Sequence, residues 1–185
     1  MTVAGLVLAA GEGRRYGMPK ALVPYRGRLF VESTVDRLRA AGCATVYVVA
    51  GAGIDQVRAA DLGGATVVEN PDWPTGMGSS LRAGIRALHD EIAVAVMTVD
   101  LPGVTAAAIE RVIAGATPTT LAAATYHGKR GHPVLIGRDH WQGVHDSAEG
   151  DQGARAYLKR HDVTEIPCED VADGHDVDHP ADLPR

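Results

Sequence analysis

The chain has 185 residues and a formal net charge of −5, with 18 Lys+Arg against 23 Asp+Glu, which argues against a general nucleic-acid binder, whose footprint would be basic. A hydrophobic content of 45% with 22% charged residues is that of an ordinary soluble protein, and the length suits one domain, 1–185, with a full core. No run reaches the roughly 18 apolar residues of a membrane span, and Met1 leads into a strand without a charged or apolar leader, so the expectation is no membrane partner, no secretory signal and a cytoplasmic protein.

Strand-like and helix-like segments then alternate, which predicts an α/β fold with a mostly parallel sheet. Leu6, Val7 and Leu8 form a short buried strand, and Val31, Val35 and Leu38 recur at helical spacing up to Gly42. Thr45–Ala50 reads as a strand, Ile54–Asp61 as a short helix, Thr66–Glu69 as a strand and Asn70–Pro74 as a rigid loop. Leu81, Ile85 and Leu88 mark a helix opening near Ser79 or Ser80, and Ile92–Val99 is a near-continuous apolar strand, buried on both faces. Beyond it come a helix (Ala107–Gly115), a strand (Thr120–Thr125), a turn (His127–Gly131) and an added strand (Pro133–Ile136), for which an antiparallel direction is open. A polar loop, a helix (Ala154–His161), a last strand (Val163–Ile166) and an acidic, proline-punctuated tail complete the chain. Cys43 and Cys168 have no metal spacing and read as small buried hydrophobes.

The first strand runs into V-L-A-A-G-E-G-R-R-Y-G-M-P-K, Val7 to Lys20. Glycines let backbone N–H groups approach a ligand, and Arg14, Arg15 and Lys20 surround them with positive charge, so the loop suits a triphosphate. It is not a Walker loop, because Met18 and Pro19 separate Gly17 from Lys20 and Ala21 stands where a hydroxyl is needed. Nor is it a dinucleotide fingerprint, because Tyr16 occupies the place of the third glycine.

Three further patches carry chemistry. Asp100 ends the buried strand Ile92–Val99, at the sheet edge where open α/β proteins bind ligands, and a carboxylate there suits magnesium as well as a helix cap. In the tail, Asp176 and Asp178 alternate across one residue and point the same way in an extended chain, which suits a second metal contact; Asp182 reads as structural. Asn70 to Gly84, N-P-D-W-P-T-G-M-G-S-S-L-R-A-G, offers N–H donors at a helix start to a base, ribose or phosphate. There Trp73 suits either stacking or packing, and Ser79 and Ser80, outside any G-x-S-x-G frame, read as caps. Finally Lys129, Arg130, His132 and Arg155, with Asp151 nearby, could meet an anionic acceptor, although a histidine taken singly, as His132 is, is more often a hydrogen-bonded structural residue than an acid–base catalyst.

Together these stretches resemble the molybdenum-cofactor cytidylyltransferase branch of the nucleotidyltransferase superfamily. L-A-A-G-E-G-R-R-Y-G-M-P-K is similar to its signature loop, N-P-D-W-P-T-G-M-G-S-S-L to its base-side loop and D-L-P to its metal aspartate. G-H-P-V, G-D-Q-G-A-R and D-V-D-H-P-A-D-L are similar to its acceptor side and tail. The resemblance implies a three-layer α/β/α Rossmann-like nucleotidyltransferase fold, like that of A-type glycosyltransferases. It implies nucleotide binding by Leu8, Ala9, Ala10, Gly11, Gly13, Arg15, Lys20, Asn70, Gly76, Ser79 and Ser80, with Arg15, Lys20 and Asp100 catalytic. It further implies Mg2+ held by Asp100 and Asp178, and acceptor binding by His132, Asp151 and Arg155. The implied reaction moves CMP from CTP to a phosphorylated pterin acceptor, with transient contact to a molybdoenzyme. Ala10 stands where guanylyl-transferring relatives often have glycine, which leans towards CTP. Leu101 and His179 depart from the branch, replacing a common glutamine and a common threonine. A guanylyltransferase, an NAD(P)H-dependent reductase on the same scaffold and a non-catalytic cofactor-binding chaperone are the alternatives.

Overall fold

The structure, a computed structural model, describes residues 2–185; Met1 and its expected approach to the first strand lie outside the described residues. Seven strands form one sheet: β1 (Val3–Ala9), β4 (Thr45–Ala50), β5 (Thr66–Glu69), β6 (Ala93–Thr98), β7 (Leu121–Tyr126), β8 (Lys129–Gly137) and β9 (Thr164–Pro167). The spatial order is β5-β4-β1-β6-β8-β7-β9. The pairs β5–β4, β4–β1, β1–β6 and β7–β9 are parallel, and β8 runs antiparallel to both β6 and β7. The remaining strands, β2 (Pro24–Tyr25) and β3 (Arg28–Leu29), make a small hairpin.

Alternation along the strands builds the layers. Val7 and Ala9 of β1, Val46, Val48 and Ala50 of β4, and Ala95 and Met97 of β6 face one core, under α1 (Phe30–Ala40), α2 (Ile54–Ala59) and α4 (Ala106–Ile113). Leu6 and Leu8, Tyr47 and Val49, and Val94 and Val96 face the other, under α3 (Met77–Ala87), α5 (Trp141–Ser147) and α6 (Arg155–Leu158). A period of two through strands covered on both sides gives the three-layer sandwich expected from the sequence.

Several elements differ from expectation. Trp141–Ser147 is helix, not polar loop. Gly143 hides it, because glycine lowers helix propensity; a Cβ there would stand 2.5 Å from the Tyr157 ring. The following helix is a single turn, Arg155–Leu158, rather than Ala154–His161, because Lys159 to Asp162 are exposed and nothing apolar holds a second turn. β8 begins at Lys129, pairing Lys129 with Tyr126, so the turn shrinks to His127 and Gly128. α3 opens at Met77, with Gly76 preceding it, which puts Ser79 and Ser80 inside the first turn instead of at the cap. Among the described residues no helix is long and apolar enough to cross a membrane.

The chain passes from β1 to β4 and β5 on one side, then crosses to β6 on the other. The carboxyl ends of β1 and β6 are thus a topological switch point, where the loops diverge and leave a crevice. Ala10 and Asp100 follow those two ends.

Candidate active site

The crevice is built from three pieces. The first is the glycine loop after β1. Gly17 N donates to Gly13 O at 2.8 Å and Ala52 N donates to Ala10 O at 3.0 Å, which folds the loop and ties it to the end of β4. Gly13 has φ +66°, and a Cβ on it would stand 1.8 Å from the Met18 carbonyl oxygen. Gly11 differs, since a Cβ there would meet no protein atom within 4 Å, yet the residue lines a cavity. Its missing side chain leaves room on the cavity side rather than for packing.

The second piece is the turn after β6. Arg37, on α1, donates to the carbonyls of Leu101 at 2.8 Å and Val104 at 2.5 Å. It also donates to Thr34 Oγ1 at 3.0 Å. Burial lowers its pKa to about 10, partly opposed by Asp36. A guanidinium spent on two carbonyls holds the backbone next to Asp100 in place.

The third is the tail. Cys168 N donates to Thr125 O, Asp173 N to Gly103 O and Val177 N to Asp100 O, at 2.9, 3.0 and 2.9 Å, which lays the tail along the carboxyl edge of the sheet. Val177 is buried in the core, and its neighbours Asp176 and Asp178 turn outward to meet Asp100. One carboxylate oxygen from each of Asp100, Asp176 and Asp178 lies within 4.8 Å of the other two. Three hard oxygen donors at this spacing fit a divalent cation. Lys20 Nζ also reaches this group, 3.0 Å from Asp100 Oδ2 and 2.8 Å from Asp178 Oδ1, while Arg15 lies 3.1 Å from Asp178 Oδ2. Burial works against the Lys20 charge, but Asp178 and Asp100 outweigh it and raise its pKa. The hydrogen bond from Lys20 lowers the pKa of Asp178. The Arg15 side chain is 71% exposed, so its pair contributes little until a ligand covers it.

Two cavities adjoin at these carboxylates. One, of about 560 Å3, is lined by the glycine loop, Lys20, Trp73, Gly76, Ser80 and Asp178. The other, of about 570 Å3, has an apolar floor that includes Leu8, Leu81, Val96, Ala123, Val134 and Ile136, with Asp100, Asp176, His132, Asp151 and Arg155 among its polar walls. Leu8, Met77 and Asp151 belong to both. Burial lowers the pKa of His132 and Arg155 adds to this against the pull of Asp100, so the imidazole is neutral at pH 7.

Residues 5–165 match the model of the MobA-like NTP transferase domain family. The chain belongs to this family. The MobA-like chain is 38% identical over 187 residues to the nicotine blue oxidoreductase of Paenarthrobacter nicotinovorans, covering 95% of this chain and 92% of that one. It is similar in structure to Rv0371c of Mycobacterium tuberculosis H37Rv, with a TM-score of 0.83 and 31% identity over 97% of this chain and 94% of that chain. A manganese complex of Rv0371c matches with a TM-score of 0.77 and 30% identity, covering 90% and 88% of the two chains. The CTP:phosphocholine cytidylyltransferase LicC of Streptococcus pneumoniae shares the nucleotidyltransferase fold, with a TM-score of 0.73 at 16% identity over 98% and 96% of the chains.

In this MobA-like domain, Leu8, Ala10, Gly11, Gly13, Arg15, Lys20, Gly76 and Ser80 gather around the first cavity, and His132, Asp151 and Arg155 around the second. Ala9 faces the core instead, and Asn70 and Ser79 stand behind Ser80. Sequence reasoning missed Thr98, Met77 and Lys159 in the second cavity and the Arg37 clamp. Lys159 carried a signal, since it follows Arg155 by one helical turn. Met77 and Arg37 carried none.

Proposed function

We propose that the protein is a magnesium-dependent cytidylyltransferase that moves CMP from CTP to the terminal phosphate of a molybdopterin-type acceptor. It would act as a single cytoplasmic domain, handing its product to a molybdoenzyme by transient contact. The observation that carries this reading is the meeting of three carboxylates and Lys20 at the junction of the two cavities. A triphosphate on the glycine loop and a phosphate acceptor over the apolar floor would approach one another there. An acceptor phosphate oxygen attacks the α-phosphorus, the bond from that phosphorus to the β-phosphate oxygen breaks, and pyrophosphate leaves with the electron pair.

A terminal phosphate has a second pKa of ~6, so it is largely dianionic at neutral pH and needs no strong base. The neutral His132 on the acceptor side agrees with that, serving as a hydrogen-bonding wall. Asp100 and Asp178, with Asp176, would hold magnesium, which supplies charge neutralisation to the phosphates. Lys20 and Arg15 exchange their carboxylate partners for the β- and γ-phosphates and stabilise the leaving group. The loop N–H groups hold the chain of phosphates in line. Ala10 lines the first cavity, and because guanylyl-transferring relatives often have glycine at that position, the resemblance leans this reading towards a cytosine base.

The test is a thermal-shift panel of CTP, GTP, ATP, UTP and NADPH with magnesium, because a ligand that binds the folded state raises its apparent stability. CTP should give the largest shift, and purified acceptor should then release pyrophosphate. A second reading, an NAD(P)H-dependent reductase, is favoured by the 38% identity to nicotine blue oxidoreductase along nearly both full lengths. A flat ring system also suits the apolar floor. A dominant NADPH shift, with loss of nicotinamide absorbance on adding a dye-like substrate, would establish the reductase instead. Acceptor binding without release of pyrophosphate from any nucleotide would establish the chaperone.

A further inference from the structure

Arg37, half-buried on α1, hydrogen-bonds to no carboxylate among the described residues. Its neighbour Asp36 is taken by Arg28 at 2.8 Å. Nε donates to Ser33 O and Nη2 to Thr34 Oγ1, each at 3.0 Å, which pins the guanidinium against its own helix. Nη1 is then aimed at the turn after β6, where it serves the carbonyls of Leu101 and Val104. A charge withdrawn from water without an ion partner is costly, so this one calls for a reason beyond filling space. The same turn carries the tail on its other side. Asp100 O accepts from Val177 N at 2.9 Å and Gly103 O from Asp173 N at 3.0 Å. A Cβ on Gly103 would stand 2.6 Å from Asp173 O, so turn and tail meet backbone to backbone. Carbonyls 101 and 104 thus belong to Arg37, and carbonyls 100 and 103 to the tail. Further back the tail is fastened without Arg37. Cys168 N donates to Thr125 O at 2.9 Å, Thr105 Oγ1 donates to Val171 O at 3.0 Å, and Arg111 holds Asp170.

We propose that Arg37 is a positioning residue for the whole acidic triad. It locks the turn in the shape on which the tail docks, and so sets how tightly the site binds a divalent cation. Asp100 is placed directly, because it opens the clamped turn. Asp176 and Asp178 are placed through Val177, which they flank and whose N–H bonds to Asp100 O. Arg37 hydrogen-bonds to none of the three carboxylates, yet their approach to within 4.8 Å of one another depends on it. Without the guanidinium the Leu101 and Val104 carbonyls lose their donor from α1, the turn relaxes, and the last stretch of tail loses its seat. A lysine does not replace it, since an ammonium has no planar fork to be held by Ser33 and Thr34 while serving two carbonyls. The proposal rests on the metal reading of the triad and adds the residue that assembles it.

The experiment compares wild type, Arg37→Met and Arg37→Lys by manganese titration calorimetry without nucleotide, and by amide hydrogen exchange of the metal-free proteins. Arg37→Met keeps the volume and removes the charge, so it should fold. Its manganese affinity falls by about tenfold or more, the scale seen when the support behind a metal ligand is removed. Exchange at the Asp173 and Val177 amides accelerates by roughly tenfold or more, while Cys168, fastened to Thr125, keeps its wild-type rate. Arg37→Lys falls between the two in both measurements. A merely structural Arg37 would speed exchange at all three amides alike and leave the manganese affinity of the folded protein where it was. That result overturns the proposal. If circular dichroism shows Arg37→Met unfolded, Arg37→Lys decides alone, and wild-type manganese affinity in it overturns the proposal equally. A wild type that binds no manganese overturns the metal reading and this proposal together, whereas wild-type affinity surviving in the folded variants removes this proposal only.

Discussion

Lys20 and Asp178 stand 158 residues apart in the chain, and their side chains meet at 2.8 Å. The ammonium follows the glycine loop and the carboxylate belongs to the tail, so this one bond closes the first cavity from opposite ends of the sequence. The Lys20 side chain is 18% exposed and that of Asp178 35%, so the pair is screened less than the surface ion pairs of this protein but not isolated from water.

Lys20→Ala removes a charge-assisted contact to phosphate and should weaken triphosphate binding by about 1.5–3 kcal/mol, read by calorimetry. It also removes the cation now beside Asp100 and Asp178. Divalent metal should therefore bind the nucleotide-free variant more tightly than the wild type. Nucleotide binding equal to wild type would refute the phosphate-loop assignment.

Gly11 and Gly13 should separate function from folding. Gly11→Ala meets no protein atom within 4 Å, so stability should stay within about 0.5 kcal/mol of wild type while nucleotide affinity drops. Gly13→Ala combines φ +66° with a Cβ 1.8 Å from Met18 O, and should cost about 1–3 kcal/mol of stability as well. Urea unfolding and nucleotide titration on both variants check the contrast. A Gly11→Ala protein that binds nucleotide normally would show that this face of the loop is not a ligand surface.

The sheet was legible because its strands are covered on both sides and read as apolar runs between turn residues, as in Thr45–Ala50 and Ala93–Thr98. The tail acids were legible because alternation around Val177 puts Asp176 and Asp178 on one side. The apolar cavity was not. Leu8, Val96, Val134 and Ile136 line it from the same alternating positions that elsewhere pack under helices, and a residue facing a cavity reads in sequence like one facing a helix. Gly143 concealed a helix for a related reason, since its value lies in contact with Tyr157, fourteen residues on, and not in local propensity. Arg37 looked like any helical arginine until the Leu101 and Val104 carbonyls came to it.

Tyr47 and Glu91 yield a pH prediction away from the site. Tyr47 OH donates to the buried Glu91 Oε1 at 3.0 Å, and His89 N donates to Oε2 at 2.8 Å. Burial acts to raise the Glu91 pKa, but these hydrogen bonds outweigh it and lower it from 4.5. Burial first, then Glu91, raises Tyr47 from 10.0 to about 12. A lowered acid stabilises the fold above its unfolded pKa and loses that as pH falls through the folded value; a raised phenol does so below its unfolded pKa and loses it as pH rises through about 12. Tyr47→Phe should therefore cost about 1.5–3 kcal/mol between about pH 4.5 and 10, and progressively less outside that window. Urea unfolding of both proteins across the pH range measures it; a pH-independent difference would show that the bond does not couple to either ionisation.

The acidic triad supplies the last prediction, and burial ranks its members. The Asp100 side chain is 20% exposed against 35% for Asp178, Asp176 is exposed, and a less exposed carboxylate interacts with a cation under weaker screening. Asp100→Asn should abolish both manganese binding and pyrophosphate release while the fold stays intact, because the Arg37 clamp and the Val177 N–H hold the local backbone and not the side chain. Asp178→Asn should raise the metal concentration needed without abolishing turnover, since an amide oxygen still coordinates a hard cation without charge. It also frees Lys20 from its 2.8 Å partner, so part of the lost metal affinity should return in the double variant with Lys20→Ala. Asp176→Asn should have the smallest effect. Manganese titrations by calorimetry, run beside pyrophosphate release, read metal and chemistry separately. If Asp178→Asn titrates like wild type, the tail acids are solvated surface and Asp100 holds the ion alone. If Asp100→Asn retains full activity, the transferase reading fails, because no other carboxylate among the described residues ends a buried central strand at the meeting of the two cavities.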